Sequence, residues 1–255
     1  MTKLFVFIFL VFNFNIDAQV IQNTNGTKKI SIDPFENIFL CKKNKIIKIE
    51  KSNNQRLEYN FSEYGDLTKI ITRNPLRTTL FFKESQTIIF LDKNLNKLNL
   101  ELKVQNLQNN IISDIETHSN LIFLLSEKSN EICTYDFKKM EFKNHNSNIK
   151  IIKSEHLKLF LNNEEIVILN NEGILILDEN LITKKIEKLK NCQRLFFNED
   201  SLYLQIKDNL YKSSIMDLSN LFFLKTLPKN SLFYISENNL FVLKNNFFSE
   251  EKLSQ

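Results

Sequence analysis

The chain has no tryptophan and only three residues each of glycine, proline, cysteine and histidine among its 255. Scarce glycine means that left-handed turn positions, which glycine fills most readily, must fall largely to other residues, asparagine first among them. Cys41, Cys133 and Cys192 cannot all pair with one another. Cys41 and Cys133 sit inside apolar runs, where a thiol behaves as a small buried hydrophobe, so free cysteines are expected, although an oxidising compartment leaves one disulfide open. His118, His145 and His156 show no i, i+2 or i, i+4 pair, so no metal site is expected from local spacing, and no cofactor. The G-x-S-x-G, H-E-x-x-H, P-loop and G-x-G-x-x-G patterns are all missing, and nothing in the chain argues for an enzyme. The net charge of +4 comes from 34 basic and 30 acidic residues scattered along the chain, and only Arg56, Arg73, Arg77 and Arg194 are arginine. Without a concentrated basic stripe, nucleic acid is not an expected partner.

The N-terminus reads as a separate object. Lys3 precedes an apolar stretch from Leu4 to Phe14, and Ile16-Asp17-Ala18 ends in a small residue before Gln19. That is the order of a secretory signal covering residues 1–18, too short to span a bilayer comfortably and followed by a single domain over 19–255. An uncleaved anchor is the competing reading, because Ile16 is bulky and Asn15 interrupts the apolar run. No integral membrane span is expected once the signal is removed.

What the chain has in quantity is a repeat. The phrases Ile38–Glu50, Leu80–Asp92, Ile122–Asp136 and Val167–Asp178 each run from an apolar stretch through a polar turn to a second apolar stretch ending in an acid. The acids Glu50, Asp92, Asp136 and Asp178 are 42, 44 and 42 residues apart. That period belongs to propeller blades, each a small antiparallel sheet that cannot bury its faces alone. Turn signals mark six units near 33–66, 67–108, 109–150, 151–191, 192–227 and 228–255. The fold expected is an all-β, six-bladed β-propeller, with five or seven blades or an open stack of sheets as alternatives. The last unit is short, and Lys28-Lys-Ile-Ser-Ile32 is expected to supply its missing strand. Residues 111–125 have partly helical spacing but are read as strand.

Two features compete for function. A carboxylate at the end of a strand, as in Asp92-Lys-Asn-Leu95 and Asp178-Glu-Asn-Leu181, nucleates an Asx turn; a metal ring would require several such acids to converge. The turn reading is preferred. Asn74-Pro-Leu-Arg77 is expected to order the start of a strand with Leu76 packed inward, while Arg77 either faces the axial channel as a ligand-binding residue or fixes neighbouring carbonyls or an acid.

Asp17-Ala-Gln19, Asn74-Pro-Leu-Arg77 leading into Thr79-Leu-Phe-Phe82, and Phe90-Leu-Asp-Lys-Asn-Leu-Asn-Lys97 resemble exported β-propeller-like proteins of Bacteroidota, of the flavobacterial type. The resemblance implies an exported propeller and no assigned activity. The function expected is an extracytoplasmic binding or scaffolding propeller, periplasmic or secreted, that presents loops to an envelope or secreted protein. The alternatives are a periplasmic hydrolase or lyase using the axial channel and a membrane-retained structural envelope protein. Oligomeric state is left open between a monomer and an unspecified oligomer.

Overall fold

A computed structural model describes residues 24–104, 111–126, 131–146, 157–162, 165–170, 172–198, 201–215, 217–236, 239–245 and 247–253. The proposed signal at 1–18 and His156 lie outside the described residues. The chain is a six-bladed β-propeller in which each blade is a small antiparallel sheet whose strands follow chain order. The first blade contains β1 (Lys29–Ile32), β2 (Ile38–Cys41), β3 (Lys45–Ile49) and β4 (Arg56–Asn60). The second contains β5 (Lys69–Asn74), β6 (Arg77–Phe82), β7 (Thr87–Asp92) and β8 (Lys97–Lys103). The third is β9 (Asp114–His118), β10 (Leu121–Ser126), β11 (Glu131–Asp136) and β12 (Glu141–Asn146), so most of 111–125 is strand and none of it is helix. The fourth is β13 (Lys158–Asn162), β14 (Glu165–Leu169), β15 (Gly173–Leu177) and β16 (Thr183–Lys188). The fifth is β17 (Cys192–Asn198), β18 (Ser201–Ile206), β19 (Asn209–Ser214) and β20 (Asp217–Thr226), and the sixth has β21 (Leu232–Ser236), β22 (Asn239–Lys244) and β23 (Phe247–Lys252).

The repeated hairpin phrases are the two middle strands of blades one to four, and their near-continuous apolar character has a packing cause. Alternate side chains leave opposite faces of a strand. In β6, Leu80 and Phe82 pack toward the first blade, and Phe81 packs toward the third. In β10, Ile122 and Leu124 face the second blade, while Phe123 and Leu125 face the fourth. Both faces of a middle strand are therefore buried, and a run with no polar alternation is what that position requires. Outer strands such as β4 and β16 alternate between exposed and half-buried positions, because one face meets water.

Six hydrophobic clusters fill the six spaces between consecutive blades. The sixth joins the ends of the chain: Ile30, Ile32, Leu40 and Ile47 of the first blade pack against Phe241, Leu243 and Phe248 of the last. Lys51 adds an ion pair to Glu250 at 3.1 Å.

The strand exchange expected at residues 28–32 does not occur. Those residues pair with β2, Lys29 opposite Cys41 and Ile32 opposite Ile38, as the innermost strand of the first blade. Their Ile30 and Ile32 side chains meet the last blade face to face and form no ladder with it. Among the described residues the last blade keeps three strands, so the ring closes by apolar packing.

The acid at the end of the third strand does build turns. Asp92 Oδ1 accepts the amides of Asn94 at 2.8 Å and Asn96 at 2.8 Å, and Asp178 Oδ1 accepts those of Asn180 at 2.9 Å and Ile182 at 2.8 Å. Asp136 accepts the amides of Lys138 and Lys139, both at 3.1 Å. Glu50 departs from this, its longer carboxylate accepting the Asn53 side chain at 3.2 Å instead. Asp33, outside the repeat of acids, repeats the motif in full. It accepts the amides of Phe35 and Asn37 and the Asn37 side chain, as Asp92 accepts the Asn96 side chain.

Asparagine takes only some of the left-handed positions. Asn54, Asn191, Asn230 and Asn245 have positive φ, but so do Leu95 and Leu181 at equivalent points of the Asp92 and Asp178 turns. Both leucines are buried in inter-blade clusters, so packing offsets a backbone conformation that costs a non-glycine residue roughly 1–2 kcal/mol. Gly173 is needed for a different reason. A Cβ there would stand 2.1 Å from the Glu187 carbonyl oxygen across the β15–β16 pair.

Candidate functional site

The first strand of each blade faces the axis, and these six strands line a channel. Its side chains fall into levels because the strands run in the same sense and alternate residues point inward. At the mouth where the strands begin stand Lys29, Lys69, Asp114, Lys158 and Arg194, around a cavity of about 440 Å³. Deeper, Ser31, Thr72, Glu116, Phe160, Phe196 and Tyr234 enclose a smaller cavity of about 190 Å³. The aromatic rings form its packing: Phe196 lies 5.5 Å from Phe233 and 5.5 Å from Tyr234, centroid to centroid, and Phe160 lies 6.4 Å from Phe197.

The polar groups that connect the mouth to the deeper level are committed to one another. Lys69 Nζ lies 3.1 Å from Asp114 and 2.9 Å from Glu116 and donates to the Leu159 carbonyl at 2.5 Å. Burial works against the Lys69 ammonium, but the two carboxylates overcome it and hold its pKa above the ordinary lysine value. Asp114 Oδ2 also accepts the Leu159 amide at 2.7 Å. Arg73 donates to the Leu161 carbonyl. Ser31 and Thr72 share a hydroxyl hydrogen bond of 2.8 Å, and Thr72 donates to the Ile32 carbonyl at 2.9 Å. Burial pushes the Tyr234 phenol above its ordinary pKa, against hydrogen bonds to Ser31 and Thr72.

Cations at the mouth reach neighbouring strands in the same fashion. Lys29 donates to the carbonyls of Leu67, at 2.9 Å, and Thr68; Lys158 donates to Gln193 at 2.7 Å; Arg194 donates to Phe233 at 3.5 Å and lies 5.2 Å from its ring centroid. An inner strand has a ladder on one side only, and long basic side chains supply hydrogen bonds where strands of adjacent blades splay apart.

Arg77 stands elsewhere. It opens β6 opposite Asn74 across a two-residue hairpin, and the Leu76 side chain expected to pack inward is exposed at the tip, at 64% of its free surface. A two-residue connection turns its central side chains outward, away from both faces of the sheet. The Arg77 guanidinium lies 4.7 Å from the Phe137 ring centroid and 5.5 Å from that of Phe90, and it donates to the Ser119 carbonyl. Burial lowers its pKa, and its Nε has no hydrogen-bond partner among the described residues. These contacts join blades two and three and lie off the channel axis.

Sequence reasoning did not single out Lys69, Asp114 or Glu116. Their signal is faint but present: each begins or nearly begins a blade, and a charged residue at the head of an apolar strand recurs at Lys29, Lys69, Asp114 and Lys158. His118 is exposed at the end of β9, and His145 lies 3.8 Å from Glu131 on an outer strand. Among the described residues no three histidine, cysteine or acidic side chains gather in a metal-binding group. The three cysteines are buried and none is in a disulfide, and burial pushes the Cys41 and Cys192 thiols up to about 12.

No protein-family model matches the chain, and no curated protein matches it in sequence. Among solved structures it is similar to virginiamycin B lyase from Staphylococcus aureus, with 13% identity, a TM-score of 0.60 and coverage of 94% of this chain and 89% of the lyase. PorZ, a surface component of the type-IX secretion system of Porphyromonas gingivalis, is 14% identical with a TM-score of 0.54. The extracellular domain of the one-component system BT4673 from B. thetaiotaomicron is 11% identical with a TM-score of 0.58. The chain is covered to 90% and 89% in these two matches but spans only 33% and 34% of the larger proteins. At such identities the likeness establishes the propeller fold, and the bacterial proteins that share it include extracellular domains as well as a lyase.

Proposed function

We propose that this chain is an extracytoplasmic binding or scaffolding propeller, exported by residues 1–18, whose end loops engage an envelope or secreted protein. The observation that carries this reading is the commitment of the charged groups inside the channel. Lys69 pairs with both Asp114 and Glu116, and Lys69 and Asp114 also hold the backbone of Leu159, so the ring's best candidate acid and base act as struts. A frame fixed in this way is suited to presenting loops, which tolerate variation that the blades cannot. The extracellular bacterial propellers among its structural neighbours support the compartment. Among the described residues no helix is long and apolar enough to cross a membrane.

Site-specific photocrosslinking in intact cells tests the proposal. A crosslinker placed at exposed Leu76, Met140 or Ile182 should yield one discrete adduct with an envelope or secreted protein, and one on the outer strand β16 should not. Equal, diffuse labelling from all positions would refute it. Mature protein beginning near Gln19 tests export independently.

A lyase neighbour of similar size keeps a channel-based hydrolase or lyase as a second reading. It requires Glu116 or Asp114 to be released from Lys69 when substrate enters, and a Glu116→Gln variant that lost turnover without losing stability would favour it.

A further inference from the structure

The mouth of the channel carries cations that the frame does not neutralise. Lys29, Lys158 and Arg194 line one cavity of about 440 Å³, and none of the three is in an ion pair among the described residues. Among the described residues Asp114 is the one acid lining that cavity, and it is held by Lys69 at 3.1 Å and by the Leu159 amide at 2.7 Å. The three cations use only part of their hydrogen-bonding capacity on neighbouring carbonyls. Lysine has three donors and arginine five, so donors remain on Lys158 and Arg194 after their single contacts to Gln193 and Phe233. The floor is apolar, formed by Phe160, Phe196 and Phe233.

We propose that this mouth binds a small organic anion, a phosphate monoester or carboxylate carried on an aromatic or similarly flat apolar body. The anionic group sits among Lys29, Lys158 and Arg194, where the arginine fork can engage two oxygens at once, and the body rests on the phenylalanine floor. The electrostatics agree with an unfilled demand. Burial lowers the pKa of both Lys29 and Lys158, and each is lowered further by the nearby positive charges of Arg194 and Lys69, against a partial counter-effect from Asp114. Like charges held together with only the Lys69-bound Asp114 as counter-charge among the described residues disfavour the empty protein, and a bound anion reduces that cost. The site is separate from the end-loop binding proposed above and stands or falls without it.

Calorimetric titration of the mature chain with phenyl phosphate, at fixed ionic strength, tests the site. The expected result is saturable one-site binding accompanied by a concentration-dependent rise in melting temperature. Lys158→Gln and Arg194→Gln should each weaken binding by about tenfold or more, while neither variant without phenyl phosphate melts well below the parent. Inorganic phosphate should bind at least about tenfold more weakly than phenyl phosphate, because it leaves the aromatic floor uncovered. Absence of saturable binding overturns the proposal, and so do variants that bind within about threefold of the parent. If Arg194→Gln does not fold, Arg194→Lys keeps the charge and removes the fork; unchanged binding by that variant together with Lys29→Gln overturns the proposal equally.

Discussion

Lys69 and Asp114 meet at 3.1 Å near the axis of the ring, and through that contact two residues 45 positions apart fix a third, Leu159, on a strand of yet another blade. The lysine takes the Leu159 carbonyl and the aspartate takes its amide. The first strands of blades two, three and four are thus tied by side chains where no backbone ladder exists. Both charged side chains are largely shielded, at 18% and 11% exposure, so the pair is sensitive to the loss of either member. Asp114→Ala removes the acceptor for the Leu159 amide and strips Lys69 of one carboxylate. Urea unfolding should show a loss of about 3–5 kcal/mol, and a change below about 1 kcal/mol would mean that Glu116 alone suffices.

The placement of β1 gives a second expectation. Ile32 is 2% exposed and lies in the cluster that joins the first and last blades. Ile32→Ala should cost about 2–5 kcal/mol, measured by thermal or urea unfolding. Lys51→Ala, which breaks the ion pair with Glu250 on the same seam, should cost at most about 1 kcal/mol because that pair is exposed. The opposite order of effects would show that charge closes the ring.

Arg77 bridges blades two and three through Phe90, Phe137 and the Ser119 carbonyl. On this geometry Arg77→Ala should destabilise by about 1–2 kcal/mol, combining a partly desolvated cation–π contact with a lost hydrogen bond. A residue serving only as a ligand anchor at a solvated position would change stability by less than about 0.5 kcal/mol. Chemical denaturation separates the two roles.

A surface cluster on blade two makes stability depend on pH. Glu101 lies 2.7 Å from Lys97, 3.2 Å from Lys103 and 2.9 Å from the Tyr64 hydroxyl. The hydrogen bond from Lys97, aided by those from Tyr64 and Lys103 and opposed by burial, holds its carboxyl at about 2 against an ordinary 4.5. A carboxylate with a depressed folded-state pKa contributes stability above its unfolded value and loses it on acidification. The contribution should therefore be complete above pH 4.5 and disappear as pH falls from 4.5 toward 2. Partial exposure reduces it to roughly 1 kcal/mol. Glu101→Gln should flatten this part of the stability–pH curve, and an unchanged acid limb would exclude the cluster as its source.

The blades and their turns could be read from the sequence because their causes are local. A strand buried on both faces, such as Leu80–Phe82, must be apolar at successive positions, and Asp92 or Asp178 finds the amides that it accepts within four residues. Asp33 could have been recognised in the same way, since Asp33 and Asn37 repeat the spacing of Asp92 and Asn96. Tertiary structure decided what depends on the ring. Ile30 and Ile32 would be buried equally well in the first blade or the last, and only the pairing of Lys29 with Cys41 assigns their strand. Leu95 and Leu181 adopt a backbone conformation that no leucine prefers, because neighbouring blades bury them there. Lys69 has nothing in its own strand to announce a partner, since Asp114, Glu116 and Leu159 come within reach only when three blades are set around one axis. Short-range hydrogen bonds and period-two burial are written in neighbouring residues, whereas contacts across the axis arise from the closure of the ring.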